Sequence, residues 1–336
     1  MNALVTGITG FAGGFLAEHC LAQGDRLLGT SRHGTLPPHL ASIASSGPAP
    51  TQGPSPPPAE PIETLAWDLT SDLSPAARAR IAQFAPECIY HLAALSVPGE
   101  CGRQAPTEMA RQINIEGTAR VLELAAALES RPRVLVISSS HVYAPVTRAA
   151  PRVGEDAPLG PHGGYGQTKL AAERLAAEYH RQHGLDTVVV RAFQHTGPRQ
   201  NEKMMLPQWA QQFALWADRP EAARRQQPVV VRHLRSWIDV TDVRDTVRAY
   251  RLLAERAAAG SVYNVGSGVC RSSGEVVELL RRVADPLRPI HEEQPVEKQD
   301  PIADISRLAR CTDWAPVIPL EQTVADTYAY WRSRIL

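Results

Sequence analysis

Six short apolar runs, separated by segments of helical period, constrain this chain more than any other feature. "NALVTG" (2–7), "RLLGTS" (26–31), "TLAWDL" (64–69), "ECIYHLAA" (87–94), "RVLVISS" (133–139) and "DTVVVRAF" (186–193) are nearly continuous in apolar residues. A strand solvated on one face alternates; a strand covered on both faces does not. Between these runs, "GGFLAEHCLAQG", "INIEGTARVLELAAAL" and "KLAAERLAAEYHRQHG" carry apolar residues at helical spacing. The regular alternation predicts an α/β fold built on a doubly wound parallel sheet.

After residue 194 the rhythm loosens. "PQWAQQFALWA", "TVRAYRLLAE" and "GEVVELLRRVA" read as helices, "VVVRH" and "VYNVG" as short strands. We therefore divide the chain into residues 1–193, a dinucleotide-binding sheet domain, and 194–336, mainly a smaller substrate-binding lobe over the sheet's carboxyl edge, with some strands returning to the sheet. Open α/β sheets bind ligands along that edge. One segment, 35–63, is rich in Pro, Ser, Ala and Gly. It has too little apolar content to order itself and is expected to be a disordered surface insertion. At 336 residues and 43% hydrophobic, the chain has ample material for one large core or two unequal ones.

Composition narrows the partners. Thirty-five basic residues balance thirty-five acidic ones, which gives no footprint for nucleic acid or a membrane surface. No basic leader and no long apolar run is present, so neither a signal peptide nor a membrane span is expected. The five cysteines lack any C-x-x-C spacing. They support neither a metal site nor a disulfide framework, and point to a reduced cytoplasmic protein.

"TGITGFAGG" places Gly7, Gly10 and Gly13 between the first strand and the first helix. Glycines there let the backbone approach a pyrophosphate, which the free N–H groups of the helix terminus then hold. A tight structural turn uses the same letters. The second strand ends in Thr30, Ser31 and Arg32. A carboxylate at this place accepts from an NAD ribose, whereas an arginine suits a 2′-phosphate, so NADP(H) is favoured over NAD(H). The alternative is that Arg32 only opens the insertion. Asp68 either accepts from the adenine amino group or is a simple strand-end residue. The small residues Ala93 and Ala94 end the fourth strand and let a cofactor lie close.

"GGYGQTKLAAE" sets Tyr165 and Lys169 four apart on one helix face. A tyrosine titrates near ~10, too high for acid–base work at neutral pH. An ammonium beside it is expected to lower that value. Ser139, at the end of "RVLVISS", is placed to share a substrate oxygen with the phenol.

Together "TGITGFAGG", "HLAA", "INIEGT", "SSSHVY", "YGQTK", "YNVGSG" and "WAPVIPLEQT" resemble the extended short-chain dehydrogenase/reductases that act on nucleotide sugars. "GTSR", "FQHTGP", "DVTDVRD" and "IPLEQT" look most like the GDP-6-deoxy-4-keto-mannose reductase and GDP-mannose 4,6-dehydratase branch. The resemblance implies a Rossmann-type sheet and a catalytic set of Ser139, Tyr165 and Lys169. It also implies cofactor contacts from Gly7, Thr9, Gly10, Phe11, Gly13, Ser31, Arg32, Asp68, Leu69, Leu92, Ala93, Ala94 and Asn114, together with Tyr165 and Lys169 themselves. The implied substrate contacts are Ser96, Ser140, Gln194, His195, Arg199, Arg235 and Glu297; His195 and Arg199 read equally well as a surface-loop pair.

Two departures stand out. Related dehydratases have a glutamate base where this chain has His141, which is either a substitute base or a substrate-facing or solvated loop residue. The family's Phe-Asn and Arg-Pro motifs appear as Phe193-Gln194 and Gln294-Pro295. The expected function is an NADP(H)-dependent reductase of an NDP-6-deoxy-4-keto-hexose. The alternatives are a 4-epimerase or 4,6-dehydratase that retains its cofactor, and a non-catalytic NADP-binding sensor. Relatives dimerise through a four-helix bundle, which here would use helices at 107–129 and 163–183. A homodimer is therefore the expected assembly.

Overall fold

A computed structural model describes residues 1–38, 40 and 62–335. Seven parallel strands form the main sheet: β1 (Asn2–Thr6), β2 (Arg26–Ser31), β3 (Glu63–Ala66), β4 (Cys88–His91), β5 (Arg133–Ser139), β6 (Thr187–Ala192) and β7 (Val262–Val265). Their spatial order is β7-β6-β5-β4-β1-β2-β3, so the winding direction reverses between β1 and β4. That reversal opens a crevice at the carboxyl ends of the strands.

Both faces of the sheet are dry, as the unbroken apolar runs require. Along β1, Ala3 and Val5 face one core with Tyr90, Val188 and Val190, while Leu4 faces the other with Leu28, Ile89 and Val134. Helices α1 (Phe11–Ala22) and α6 (Val243–Arg256) cover the first face. Helices α2 (Pro75–Phe84), α3 (Gly117–Ala127) and α4 (Gly164–His183) cover the second. The ends of α2 follow from local chemistry. Ser74 accepts from the Ala77 amide at 3.2 Å and Pro75 takes the first helical position, where its missing N–H costs nothing.

A third core lies in the later part of the chain. Helices α5 (Met205–Trp216), α7 (Ser273–Ala284) and α8 (Leu320–Ile335) pack Leu206, Trp209, Phe213, Val276, Leu280 and Val324 against the strand Ser236–Asp242. That strand pairs with Gln194–Thr196, Cys270–Ser272 and Lys298–Gln299, and so overhangs the crevice. Among the described residues no helix is long and apolar enough to cross a membrane.

Two expectations need correction. The "TLAWDL" strand begins and ends earlier, at Glu63–Ala66. The Pro-rich segment is not uniformly without structure: Thr35–Pro38 and Leu40 are placed, Leu40 is buried, and Ile62 joins the first core. The expectation of disorder for 39 and 41–61 lies outside the described residues.

Candidate active site

A cleft of about 1320 Å³ follows the carboxyl edge from β3 to β6 and continues under the overhanging strand. Its first part is a backbone cradle. Gly7 adopts a left-handed φ of 71°, and its amide is held by the Thr30 carbonyl at 3.1 Å. A Cβ on Gly13 would lie 2.2 Å from the Gly7 carbonyl oxygen, so only glycine lets α1 start this close to β1. Gly10 precedes α1 with no side-chain cap, which leaves first-turn N–H groups for an anion. The cradle fits a dinucleotide pyrophosphate.

Arg32 and His33 stand exposed at the far end of the cradle, beside Asp68. Bonds from the Thr70 amide and hydroxyl, at 2.9 and 2.8 Å, hold the Asp68 carboxyl below its usual value, and the Arg32 and His33 charges add to this.

The chemical centre forms where β5 meets α4. The turn before Tyr165 is dense in glycine because backbone crosses backbone there. A Cβ on Gly164 would sit 2.0 Å from the Cys101 carbonyl oxygen, and one on Gly166 2.3 Å from that of His141. This close approach brings the Tyr165 hydroxyl near enough to the Ser139 side chain for that group to draw its pKa down. Lys169, one turn on, is buried and donates to the Ile137 carbonyl at 2.9 Å.

The net shift at Tyr165 runs opposite to the one expected from Lys169. Burial pushes the phenol up to about 12, against the downward pull of Ser139, and the neighbouring Cys101 adds to the rise. Lys169 is hydrogen-bonded to the backbone rather than to the phenol. Its ammonium lies 5.9 Å from the centroid of the Tyr165 ring and is fastened to the Ile137 carbonyl. Burial also pushes Lys169 down to about 8, opposed by Cys101 and Glu173. At neutral pH the site therefore holds a protonated phenol beside an ammonium.

Beneath the centre runs a buried polar network. Ser138 donates to Glu173, which takes an ion pair from Arg191; Arg191 also donates to the Tyr143 hydroxyl at 3.1 Å. Tyr143 in turn donates to Asn264 on β7 at 2.6 Å. A second network holds His91 at the end of β4. Thr118 gives its hydroxyl proton to the Asn114 carbonyl at 2.8 Å, so it accepts from His91 Nε2 at 3.0 Å, while Thr6 donates to Nδ1 at 2.8 Å. Burial pushes this imidazole down to about 3.

Most residues expected at the site line the cleft: Gly7, Thr9, Gly10, Phe11, Gly13, Ser31, Arg32, Asp68, Leu69, Leu92, Ala93, Ala94, Ser96, Ser139, Ser140, His141, Tyr165, Lys169, Gln194 and His195. His195 stacks on Phe11 at 5.9 Å with planes 4° apart. Four do not line it. Asn114, in a π turn at Gln112–Glu116, bonds the Leu95 amide at 2.7 Å, the Leu95 carbonyl at 3.0 Å and Thr168 at 3.0 Å, and so braces the wall. Arg199 pairs with Glu18 and lies 3.7 Å over the Phe15 ring, on the outer side of α1. Arg235 and Glu297 are exposed outside the cleft.

The cations that do reach the substrate half are Lys203, Arg232 and Lys298. The sequence offers one signal for Arg232: like Arg32, it directly follows a short apolar strand, here Val229–Val231. Lys203 also bonds Glu100 at 2.8 Å, linking the turn Pro98–Glu100 to the later part of the chain with both side chains exposed. His141 lies edge-on to Tyr165, ring centroids 5.4 Å apart, and its ring makes no hydrogen bond among the described residues. It is open to solvent yet enclosed by the cleft walls. This enclosure lowers its pKa; Asp300 opposes the shift, and Lys298 and His162 reinforce it.

The NAD dependent epimerase/dehydratase family model matches residues 3–266. The chain belongs to this family. Within it, the chain is an enzyme of the extended short-chain dehydrogenase/reductase type, served by a nicotinamide dinucleotide. It is 31% identical over 258 residues to the GDP-6-deoxy-D-mannose reductase of Pseudomonas aeruginosa, covering 74% of this chain and 82% of that one. It is 28% identical over 222 residues to a dTDP-glucose 4,6-dehydratase of Streptomyces griseus, covering 65% and 64%. The solved structure of RMD from Pseudomonas aeruginosa complexed with NADPH superposes with a TM-score of 0.79, at 27% identity and 99% coverage of both chains. The family's shared sheet and crevice are those described above.

Proposed function

We propose that this enzyme reduces the 4-keto group of a nucleotide-linked 6-deoxy-4-keto-hexose, GDP-linked by preference, with NADP(H). The observation that carries the reading is the convergence of Ser139, Tyr165 and Lys169 on one cleft with the Gly7, Gly10 and Gly13 cradle. A carbonyl reduction needs a proton donor at the oxygen, and the Tyr165 phenol, protonated at neutral pH, can serve as one.

Gly7, Gly10, Gly13, Ser31, Arg32 and Asp68 would hold the dinucleotide, whose reduced nicotinamide supplies hydride chemistry when bound. Ser139 hydrogen-bonds the sugar's keto oxygen and Tyr165 gives that oxygen its proton. The fixed Lys169 ammonium would hold the nicotinamide ribose through its remaining donors. Arg232, Lys203 and Lys298 offer positive charge to a diphosphate in the second half of the cleft. The NADPH-bound reductase structure and the 31% identical reductase support the choice of reaction. Arg32 in the cleft supports the 2′-phosphate.

One observation favours a second reading. His141, uncommitted and edge-on to Tyr165, is a base where a dehydratase would need one. A reductase consumes one reduced cofactor per sugar, whereas a dehydratase or epimerase consumes none. The deciding experiment mixes the protein with NADPH and a panel of GDP-, dTDP-, UDP- and CDP-linked 4-keto sugars. Loss of absorbance at the reduced nicotinamide band with one of them is expected; silence across the panel overturns the reading. We further propose a homodimer through helices at 107–129 and 163–183, checked by sedimentation. The five free thiols suit the reducing cytoplasm we assign it.

A further inference from the structure

Arg199 sits on strained backbone. Its φ is 68°, in the left-handed region that a side chain disfavours. Ala85 and Asp313 share this region, but each ends a helix, where a left-handed residue lets its amide bond the last carbonyls. Arg199 lies between the strand Gln194–Thr196 and α5 and caps neither. Such an outlier persists only where the surrounding contacts over-determine it. Those contacts are specific. The guanidinium donates through Nη1 and Nη2 to the two carboxylate oxygens of Glu18, the second at 2.9 Å, and lies 3.7 Å from the centroid of the Phe15 ring. Phe11, Phe15 and Glu18 recur at helical spacing along one face of α1. Phe15 meets Phe11 edge to face, with centroids 5.7 Å apart and planes at 83°. Phe11 in turn faces the parallel His195 ring. His195 is fixed from its own side: Nδ1 donates to the Phe193 carbonyl at 3.1 Å, and its carbonyl accepts from Gln200 at 3.0 Å.

Arg199, Phe15, Phe11 and His195 thus form one column of planar groups, running from the outer side of α1 into the cleft. Phe11 directly follows the glycine turn, while His195 belongs to a strand paired with the overhanging Ser236–Asp242. We infer that Arg199 is a positioning residue for the reduction: acting through Phe15 and Phe11 on His195, it sets how far the overhanging strand stands from the glycine cradle. The inference rests on the reductase reading. In that reading one reactant is held by the cradle and the other beneath the overhanging strand, so a small error between the two halves costs rate rather than affinity. The Arg199–Glu18 pair is partly open to solvent, and its charge alone contributes little to holding the fold. A glycine would suit the left-handed turn better. Only the arginine also reaches Glu18 and Phe15.

The test uses the whole protein, NADPH and GDP-6-deoxy-4-keto-D-mannose. Arg199→Gly relieves the backbone and removes the guanidinium; Glu18→Gln keeps the shape and removes the ion pair. Both should bind NADPH as the wild type does. At saturating NADPH and sugar, the single-turnover rate constant of NADPH oxidation should fall about tenfold in each. A contact that only stabilised the fold would lower the fraction of active protein and leave that rate constant unchanged. In the ligand-free protein carrying ¹³C-labelled histidine, the His195 resonance, assigned by its loss in His195→Gln, should shift in both variants as the ring moves against Phe11. Thermal melts identify a variant that fails to fold, and the other then decides. A wild-type rate constant in a folded variant overturns the inference, as does a rate loss explained by weakened NADPH binding or an unmoved His195 resonance. Failure of the wild type to oxidise NADPH with this sugar is a different result: it removes the reductase reading itself, and the inference with it.

Discussion

Glu173 and Arg191 form a buried ion pair directly behind the strand end that carries Ser139. Arg191 Nε lies 3.0 Å from Oε1 and Nη2 2.8 Å from Oε2, with Ser138 donating to the same carboxylate. The pair ties β5, β6 and α4 together at the level of Ser139, Tyr165 and Lys169. Removing one partner strands the other's charge in a dry interior, at about 3–5 kcal/mol. Glu173→Gln should therefore lower the denaturant midpoint sharply and reduce kcat as Ser139 and Tyr165 drift apart. Urea unfolding alongside turnover measures both. An unchanged midpoint would show that the pair is not needed to hold this layer.

Tyr165→Phe removes the proton donor and little else. Its kcat should fall by about 100-fold or more, while NADPH affinity stays near that of the wild type. Steady-state rates and a binding titration check the two halves separately. Turnover at the wild-type rate would remove Tyr165 from the chemistry.

The pH profile should carry Lys169's signature. With its pKa pushed down to about 8, the ammonium is present at pH 7 and lost as pH rises through 8, while Tyr165, at about 12, stays protonated throughout. The expected kcat/KM declines on the alkaline side from about 8, and Lys169→Met should lack that limb. A profile flat to pH 9.5 contradicts the assignment.

Acid should act through His91. Its folded value of about 3 lies far below the ordinary imidazole value, because burial penalises the charged ring and the Lys169 charge adds to this. The sign follows from linkage. Below pH 6.5 the unfolded chain binds a proton that the folded one refuses, so the stability His91 confers is complete above 6.5 and declines toward pH 3. The loss is about 2 kcal/mol by pH 5. Urea titrations at pH 7 and 5 should show it, and His91→Gln should flatten the difference. Equal midpoints in the wild type would refute this.

The sheet was legible because its strands are dry on both faces, which leaves unbroken apolar runs at Leu4, Ile89 and Val134 that no surface strand shows. The Tyr165–Lys169 pair was legible because helical geometry is local. What each side chain faces was not. Four residues of spacing place Lys169 on the side of Tyr165, but only the fold shows its ammonium on the Ile137 carbonyl and the phenol half-buried in the cleft, where enclosure raises its pKa. Irregular backbone misleads further. Arg232, inside the cleft, and Arg235, outside it, have only two residues between them, and Arg199 has its charge matched by Glu18 far along the chain. Asn114 reads as a ligand contact yet serves as a brace, since a π turn re-aims it toward Leu95.

The tie between Glu100 and Lys203 differs in kind from the pair beneath Ser139, because both of its side chains stand in solvent. Ions in the medium compete with it readily, so it holds the turn Pro98–Glu100 to the later part of the chain only weakly. Added salt would thus loosen this tie at the cleft's rim without touching the chemistry below. If escape of the reduced sugar is the slow event, turnover should quicken at moderate ionic strength even as capture of the anionic substrate weakens.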